Sequence, residues 1–326
     1  MRRLVLLVWM ILSSVATLAA EEPKSVSLSG AKALSGAKAL SGKRVMTLGD
    51  SVTQDGRYLS YVEYYLQKQN PKLDFDIVNA GLASETTSGL TEEGHPGPRP
   101  CIHERLDRAL ADVKPQLVIA CYGMNDGIYK PLSDERFKSF QDGVTQLVAK
   151  CQAAGAEVIL ITPPAYDVDC HGGVATMKFD YNTVLNAYAE WELKTAPGGA
   201  TVLDLHVPMS AMVKPAREAK HPLHNQGDGV HPAEMGHFVM ADAIFKALKM
   251  PLPKGDLDTH LAAAQADPLY KLIRQRQSAR GSGWLNYIGF TRVNKTTPPH
   301  ENDIQAVEAQ AAEVQKQIDA LRKSGQ

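Results

Sequence analysis

The stretch Arg44-Val-Met-Thr-Leu-Gly-Asp-Ser-Val-Thr53 decides how the rest of the chain is interpreted. Its apolar run, Val45–Leu48, is typical of a short buried strand, and the run ends directly at Gly49-Asp50-Ser51. A serine at this place is held by a rigid scaffold. Serine is a weak nucleophile that needs a base within hydrogen-bond reach. The tripeptide alone is equally typical of an ordinary turn, so its meaning depends on what lies elsewhere in the sequence.

Apolar strands alternate with amphipathic helices from Arg44 to about Met250. The predicted strands are Val45–Leu48, Phe75–Val78, Leu117–Cys121, Val158–Thr162 and Val202–Leu205, and the predicted helices are Tyr58–Gln67, His103–Val113, Glu135–Ala154, Tyr181–Leu193 and Pro232–Leu248. This alternation predicts an α/β fold with a mainly parallel sheet covered on both faces. Ligands bind outside the carboxyl ends of such strands. Asp50-Ser51, Asn79–Gly81 and Gly123–Asn125 all follow predicted strands, so we expect them at one edge.

A candidate base for the serine lies far along the chain, in Asp228-Gly-Val-His231-Pro232. An Asp and a His three residues apart in a tight loop can meet. The carboxylate then accepts Nδ1–H, and Nε2 is left free to take the serine proton. The alternative interpretation is a helix-capping Asp beside an incidental His. For a developing negative charge, the candidate donors are the backbone N–H groups of Ser51 and Gly81 and the side-chain amide of Asn125.

As a set, these motifs resemble the four sequence blocks of the SGNH/GDSL hydrolases. The matching residues are Gly49-Asp50-Ser51, Gly81, Gly123-x-Asn125-Asp126 and Asp228-x-x-His231, and the resemblance covers roughly residues 44–250. It implies a three-layer α/β/α fold with Ser51, Asp228 and His231 as a catalytic triad. It also implies Ser51, Gly81 and Asn125 as the oxyanion hole, an acyl-enzyme mechanism, and no cofactor. The Gly-x-Ser-x-Gly signature of the classical α/β-hydrolases does not occur in the chain.

The resemblance favours a serine esterase that removes short acyl groups, with O-acetyl esters of carbohydrates as the leading substrate class. A lipolytic esterase or a thioesterase is the alternative among enzymes. A non-catalytic binding module on the same fold is the alternative of another class, and the complete set of catalytic blocks argues against it. The formal net charge of −1 leaves no basic surplus for neutralising phosphates, so we expect no nucleic-acid partner.

The first twenty residues have the order of a secretory signal peptide: Arg2-Arg3, an apolar run from Leu4 to about Leu18, and small residues at Ala19-Ala20. We therefore expect export to the periplasm or the medium. An uncleaved membrane anchor is the alternative. Residues 21–43 contain a six-residue repeat of Leu, Ser, Gly, Ala and Lys, and this composition predicts a flexible linker before the hydrolase domain at 44–250.

Residues 251–326 form an extension that is predicted to be mainly helical. Asp256–Gly281 is expected to be a helix, and Trp284, Tyr287 and Phe290 are expected in a glycine-containing loop. Asp303–Lys323 carries an apolar stripe of coiled-coil type. The stripe fits either a helix packed on its own domain or a homodimer that is formed through this helix.

Four cysteines and a group of histidines leave further alternatives open. In an exported protein Cys101, Cys121, Cys151 and Cys170 permit disulfides, and the sequence does not choose among the pairings. Cys121 ends an apolar run and is predicted to be a buried free thiol, while Cys151–Cys170 is the favoured bridge. A metal site is the alternative role for the histidines, but no spacing matches a zinc pattern, so none is predicted. The histidines concerned are His221, His224, His231 and His237.

A proline-rich loop, Gly94–Pro100, follows the second predicted strand. Its Arg99 is a candidate to contact a polar substrate. The alternative is a loop with a purely structural role.

Overall fold

The computed structural model describes residues 28–29, 36–170, 177 and 179–324. The predicted signal peptide and most of the predicted linker lie outside these residues. The strands are β1 (Leu28–Ser29), β2 (Arg44–Gly49), β3 (Asp76–Asn79), β4 (Leu117–Cys121), β5 (Glu157–Ile161) and β6 (Thr201–Leu203), with a hairpin of β7 (Phe290–Arg292) and β8 (Lys295–Thr297). The α-helices are α1 (Ser51–Asp55), α2 (Arg57–Gln69), α3 (Leu106–Val113), α4 (Asp134–Ala153), α5 (Asn182–Thr195), α6 (His206–Glu218), α7 (Glu234–Ala247), α8 (Leu257–Ala266), α9 (Pro268–Ile288) and α10 (Ile304–Ser324).

The central sheet has the strand order β1-β6-β5-β4-β2-β3, in which β2 to β6 run parallel and β1 is antiparallel. Successive residues of each strand face opposite layers, so Val45 packs with α2 and α7 while Met46 packs with α3, α4 and α5. Burial on both faces explains why the strands read as continuous apolar runs. The predicted three-layer α/β/α fold is confirmed.

Part of the predicted linker belongs to the folded domain. Leu28–Ser29 pairs with β6, and Ala37–Ala39 forms a short 3-10 helix. Gly36 donates its N–H to Leu248 O at 2.7 Å, and Leu40 is only 2% exposed. The repeat therefore supplies apolar residues to the core between residues 36 and 43, where the sequence predicted a flexible segment.

The extension packs against the edge of the sheet. Helix α9 lies along α2 and β3, and Arg280 Nη1 donates to Ile77 O at 3.2 Å. A Cβ on Gly281 would approach Asn79 O to 3.1 Å, and one on Gly283 would clash with Val307. These glycines therefore permit close packing within one continuous helix. Trp284 and Tyr287 lie in this helix, in contrast to the predicted loop.

A buried ion pair joins the extension to the hydrolase layers. Glu63 on α2 accepts hydrogen bonds from Arg276 and Gln277 on α9, and its side chain is fully buried. Loss of one partner of such a pair costs on the order of 3–5 kcal/mol in other proteins, because the remaining charge is left uncompensated. The extension is therefore an integral part of the fold.

The apolar stripe of α10 is covered within the chain. Ala311, Val314 and Ile318 are buried, and α10 packs along α9. The structure thus supports the interpretation of a helix packed on its own domain and gives no support to a dimer through this helix.

All four cysteines lie among the described residues and are free thiols. The predicted Cys151–Cys170 bridge is therefore wrong: Cys151 is buried in the core, whereas Cys170 donates to Asn225 O at 3.1 Å. Cys121 is a buried free thiol, as predicted. Within the described ranges, none of the helices has the length and apolar character that a membrane span requires.

Candidate active site

Ser51 is the first residue of α1, which follows the carboxyl end of strand β2. Asp50 precedes the helix and caps it, because its Oδ1 accepts the N–H of Val52 at 3.0 Å. The first N–H groups of a helix have no acceptor within the helix. Ser51 therefore presents both its hydroxyl and its N–H at the ligand-binding edge of the sheet.

The structure brings Ser51, His231 and Asp228 into one hydrogen-bonded chain. Ser51 Oγ lies 2.8 Å from His231 Nε2, and His231 Nδ1 lies 2.7 Å from Asp228 Oδ2. The other oxygen of Asp228 accepts the backbone N–H groups of Val230 and His231 at 3.1 and 3.3 Å. With its Nδ1 proton donated to Asp228, the ring can accept the serine proton at Nε2.

The charged groups around Ser51, His231 and Asp228 make the imidazole of His231 more basic. The hydrogen bond to Asp228 raises the pKa of His231 above its ordinary value, against the opposing effect of burial. Burial alone would raise the pKa of Asp228, but hydrogen bonds with the ring and the backbone hold that pKa below its usual range. Burial also raises the pKa of Asp50 to about 6. The charge of ionised Asp50 in turn contributes to the raised pKa of His231.

We expect Asp50→Asn to move the acid limb of the pH–activity profile to lower pH. The neutral amide still caps α1 but no longer stabilises protonated His231, so the pKa of His231 falls and the basic form persists at lower pH. The profile of kcat/KM for p-nitrophenyl acetate reports this pKa in the free enzyme. Asp74→Asn, at a carboxylate with a 93% exposed side chain, is the matched control. An unchanged or raised inflection in Asp50→Asn would contradict the expectation.

The Asn125 side chain is buried and its orientation is fixed by its partners. Its Oδ1 accepts hydrogen bonds from Arg99 Nη1 and from the hydroxyl of Tyr129, both at 3.0 Å. Its Nδ2 donates to Glu85 O at 3.3 Å. A primary amide has two N–H donors, so one N–H of Asn125 is left for a ligand.

Gly81, the other backbone donor predicted from the sequence, has surroundings that differ from those of Asn125. Its N–H already donates to Asn79 Oδ1 at 3.0 Å. A Cβ at this position would lie 2.5 Å from the backbone N of Gln54, so the glycine permits close packing of the β3 end on α1. Gly81 is thus explained by packing, and its N–H is engaged within the protein rather than free for a ligand.

Ser84 is a residue of this edge of the sheet that the sequence did not single out. It has a φ of 67°, in the left-handed region that favours glycine, and its N–H has no acceptor within the described part of the chain. Its carbonyl accepts from Arg99 Nη1 at 3.4 Å, the same nitrogen that contacts Asn125. Ser84 thus lies beside Asn125. The one signal in the sequence is its place shortly after the second predicted strand.

The side chain of Arg99 is buried within the protein. Arg99 is 5% exposed, and its Nε and Nη2 donate to the two carboxylate oxygens of Glu92 at 2.6 and 2.5 Å. The structure therefore supports a structural role for this loop rather than a contact between Arg99 and a substrate. Gly97 of the loop packs against Val293 in the β7–β8 hairpin, so the extension supports it.

Asp126 is a further residue that sequence reasoning did not single out on its own. Its Oδ1 accepts the N–H groups of Thr87 and Ser88 at 2.7 and 2.8 Å, and its Oδ2 accepts the N–H of Gly123 at 3.0 Å. This buried carboxylate ties the loop after β4 to the loop after β3. It thereby holds together the two loops that carry Asn125 and Ser84.

The histidines considered for a metal site have separate surroundings. His221 is hydrogen-bonded to Asp258, His224 contacts Ala165 O at 2.8 Å, and His237 is buried near Asp55. His231 contacts Ser51. The residues that the structure describes contain no group of three or more His, Cys, Asp or Glu suited to a metal ion.

A family comparison agrees with this geometry. The model of the GDSL-like Lipase/Acylhydrolase family matches residues 47–238, which is more than half of the chain. The chain therefore belongs to the GDSL-like Lipase/Acylhydrolase family. It is an ester hydrolase of the SGNH type.

Similar solved structures include a gut microbial diltiazem-metabolizing enzyme, at 21% identity and a TM-score of 0.52 over 64% of this chain. This chain spans 47% of that enzyme, or about half of its length. A catalytic mutant of Axe2, an acetylxylan esterase from Geobacillus stearothermophilus, is similar at 20% identity and a TM-score of 0.51, over 66% of this chain and 98% of that one. At these identities the likeness shows the fold. A search of curated proteins gave no match.

Proposed function

We propose that this ester hydrolase is a serine O-acetylesterase in which Ser51 is the nucleophile, His231 the base and Asp228 the residue that orients the base. One observation carries the proposal: the unbroken chain from Ser51 Oγ to His231 Nε2 at 2.8 Å and from His231 Nδ1 to Asp228 Oδ2 at 2.7 Å. A serine becomes a useful nucleophile when a base lies within this distance.

In the proposed mechanism Ser51 Oγ attacks the ester carbonyl carbon while His231 Nε2 takes the hydroxyl proton. The carbonyl π electrons move to oxygen, and the tetrahedral intermediate then collapses as the C–O bond to the alcohol breaks. His231 returns its proton to the leaving alcohol. Water attacks the acyl-enzyme in the same way, which releases the acid and restores Ser51.

We infer that three N–H groups bind the oxyanion: the backbone N–H of Ser51, the free N–H of Asn125 Nδ2 and the backbone N–H of Ser84. Ser84 takes the role first predicted for Gly81, because the N–H of Gly81 is engaged by Asn79. Donors of this kind act strongly because they are fixed before charge develops.

The substrate proposed is an acetylated saccharide. The side chains of His231 and Asp228 are 37% and 23% exposed, so the reacting groups lie near the surface, where an ester on a sugar chain can reach them. The similar fold of an acetylxylan esterase supports the same substrate class. Export, which the first twenty residues predict, would bring the enzyme to extracellular polysaccharides.

A chain-length series tests this proposal. We expect kcat/KM to fall at least about 10-fold from p-nitrophenyl acetate to the octanoate, since a site for an acetyl group cannot bind a long chain productively. Release of acetate from acetylated xylo-oligosaccharides checks the alcohol part, and Ser51→Ala gives the background in both assays. A rise in kcat/KM toward octanoate would instead show a lipolytic esterase. Absence of Ser51-dependent hydrolysis would favour the binding module.

A further inference from the structure

The side-chain oxygen of Asn125 is held by two hydrogen-bond donors of the protein itself. Arg99 Nη1 and the Tyr129 hydroxyl both donate to Asn125 Oδ1 at 3.0 Å, and Asn125 is 5% exposed. If the amide were flipped, its NH2 group would face these two donors, so only one orientation satisfies the cluster. The two donors therefore decide which way the free N–H of Asn125 points.

The charged guanidinium of Arg99 is hydrogen-bonded to the oxygen of the same amide group that carries this N–H. The Arg99 guanidinium is paired with Glu92 through two nitrogens and lies over the ring of Tyr129, 5.4 Å from its centroid. Hydrogen bonds in a chain polarise one another, and bonds from a charged donor do so most strongly. A cation on Oδ1 thus makes the Nδ2–H group a better donor to a negative oxygen.

The backbone around this cluster adopts conformations that need support. Ile128 and Tyr129 have φ values of 46° and 51°, and Ser84 has 67°. A β-branched residue such as Ile128 is a rare occupant of the left-handed region. Such residues persist where the surroundings hold them, and they cluster at functional sites. Here they bring the hydroxyl of Tyr129 and the carbonyl of Ser84 to Asn125 and Arg99.

We propose that Arg99 is a positioning residue of the oxyanion site, which acts through Asn125 Oδ1 and is assisted by Tyr129. The same nitrogen of Arg99 contacts Ser84 O at 3.4 Å, so it ties both proposed donors to one group. This inference rests on the proposed function, because it needs an oxyanion for Asn125 to bind.

A double-mutant cycle tests whether Arg99 acts through Asn125. We expect Arg99→Met to lower kcat for p-nitrophenyl acetate about 10- to 100-fold with little change in KM, because the lost interaction strengthens only in the transition state. In the Asn125→Ala background the same substitution should cost less than about 3-fold, since the residue that transmits the effect is gone. Tyr129→Phe should show the same pattern with a smaller loss.

Three further variants separate a positioning role from general damage to the fold. Arg280→Met removes another buried arginine, one that pairs with Glu308 on α10, and should lower Tm while kcat is retained. Arg99→Met combined with Glu92→Gln leaves no carboxylate without its cation, so it replaces the single variant if that one fails to fold. Arg99→Lys keeps the charge and should recover part of kcat.

Two results would overturn the inference. Equal losses from Arg99→Met in the wild-type and Asn125→Ala backgrounds would show that Arg99 acts independently of Asn125. An unchanged kcat in the folded Arg99→Met protein would show that it has no part in the reaction. Both results require wild-type activity that Ser51→Ala removes. If that activity itself is missing, the proposed function fails, and the inference falls with it.

Discussion

Ser51→Ala is expected to lower kcat for p-nitrophenyl acetate by about 10⁵-fold or more, to the background left by binding and the oxyanion donors alone. The substitution removes the attacking oxygen and so closes the covalent route. Loss of the nucleophile is expected to be as damaging as loss of the whole triad, because its members act as one unit. Among single substitutions in this protein, we expect this to be the largest effect.

The folded state should tolerate this change. Among the described residues, Ser51 Oγ makes one hydrogen bond, to His231 Nε2, and the backbone of α1 is capped by Asp50 rather than by Ser51. Ser60→Ala is the matched control, because its buried hydroxyl also makes one hydrogen bond, to Gly56 O at 3.0 Å. Ser60→Ala should remain active. A fluorophosphonate probe should add one equivalent to the wild-type chain and none to Ser51→Ala. Retained turnover in Ser51→Ala would remove Ser51 from the mechanism.

The regular part of the fold could be predicted from the sequence because burial leaves a pattern. Leu117–Cys121 matches β4, and the other four predicted strands match β2, β3, β5 and β6 within two residues at each end. Helices α1 and α6 were missed for physical reasons. Helix α1 is five residues long, too short to show a period, and α6 contains prolines at 208 and 215, which are typical of helix breaks.

The partners of the extension could not be predicted in the same way. An apolar stripe shows that a helix face is covered, but it does not show which surface covers it. In α10 that surface is α9 of the same chain. Likewise, Gly281 and Gly283 in the sequence suggest the end of a helix. In the fold they are the positions where Asn79 and Val307 pack closely against a continuous helix.

Prediction of the active site from the sequence is limited in the same way. The sequence motifs lead to Ser51, Asn125, Asp228 and His231 at one edge of the sheet, because each follows or precedes a regular element. They do not show the direction of a single N–H group. From the sequence, Gly81 is the expected backbone donor because glycine allows close approach, but in the structure its N–H donates to Asn79 Oδ1. We propose Ser84 as the donor instead, and the contact of its carbonyl with Arg99 Nη1 is one that no local motif records.

Asp228→Asn is expected to lower kcat about 10⁴-fold although it changes one atom. In the structure, Asp228 Oδ1 accepts the backbone N–H groups of Val230 and His231, and only an oxygen can keep these bonds. The amide therefore turns its NH2 group toward His231 Nδ1. That nitrogen must then be an acceptor, so the ring proton moves to Nε2, where it prevents the ring from taking the proton of Ser51.

The same substitution carries a second, independent signature. Asp228 raises the pKa of His231 through its hydrogen bond and its charge, so in the variant this pKa falls and the acid limb of the residual kcat/KM profile moves to lower pH. Asp169→Asn changes a nearby carboxylate whose side chain is 66% exposed, and it should leave both kcat and the profile unchanged. A loss of less than about 10-fold in Asp228→Asn, with the inflection in place, would mean that Asp228 only shapes the loop. His231 would then take its orientation from elsewhere.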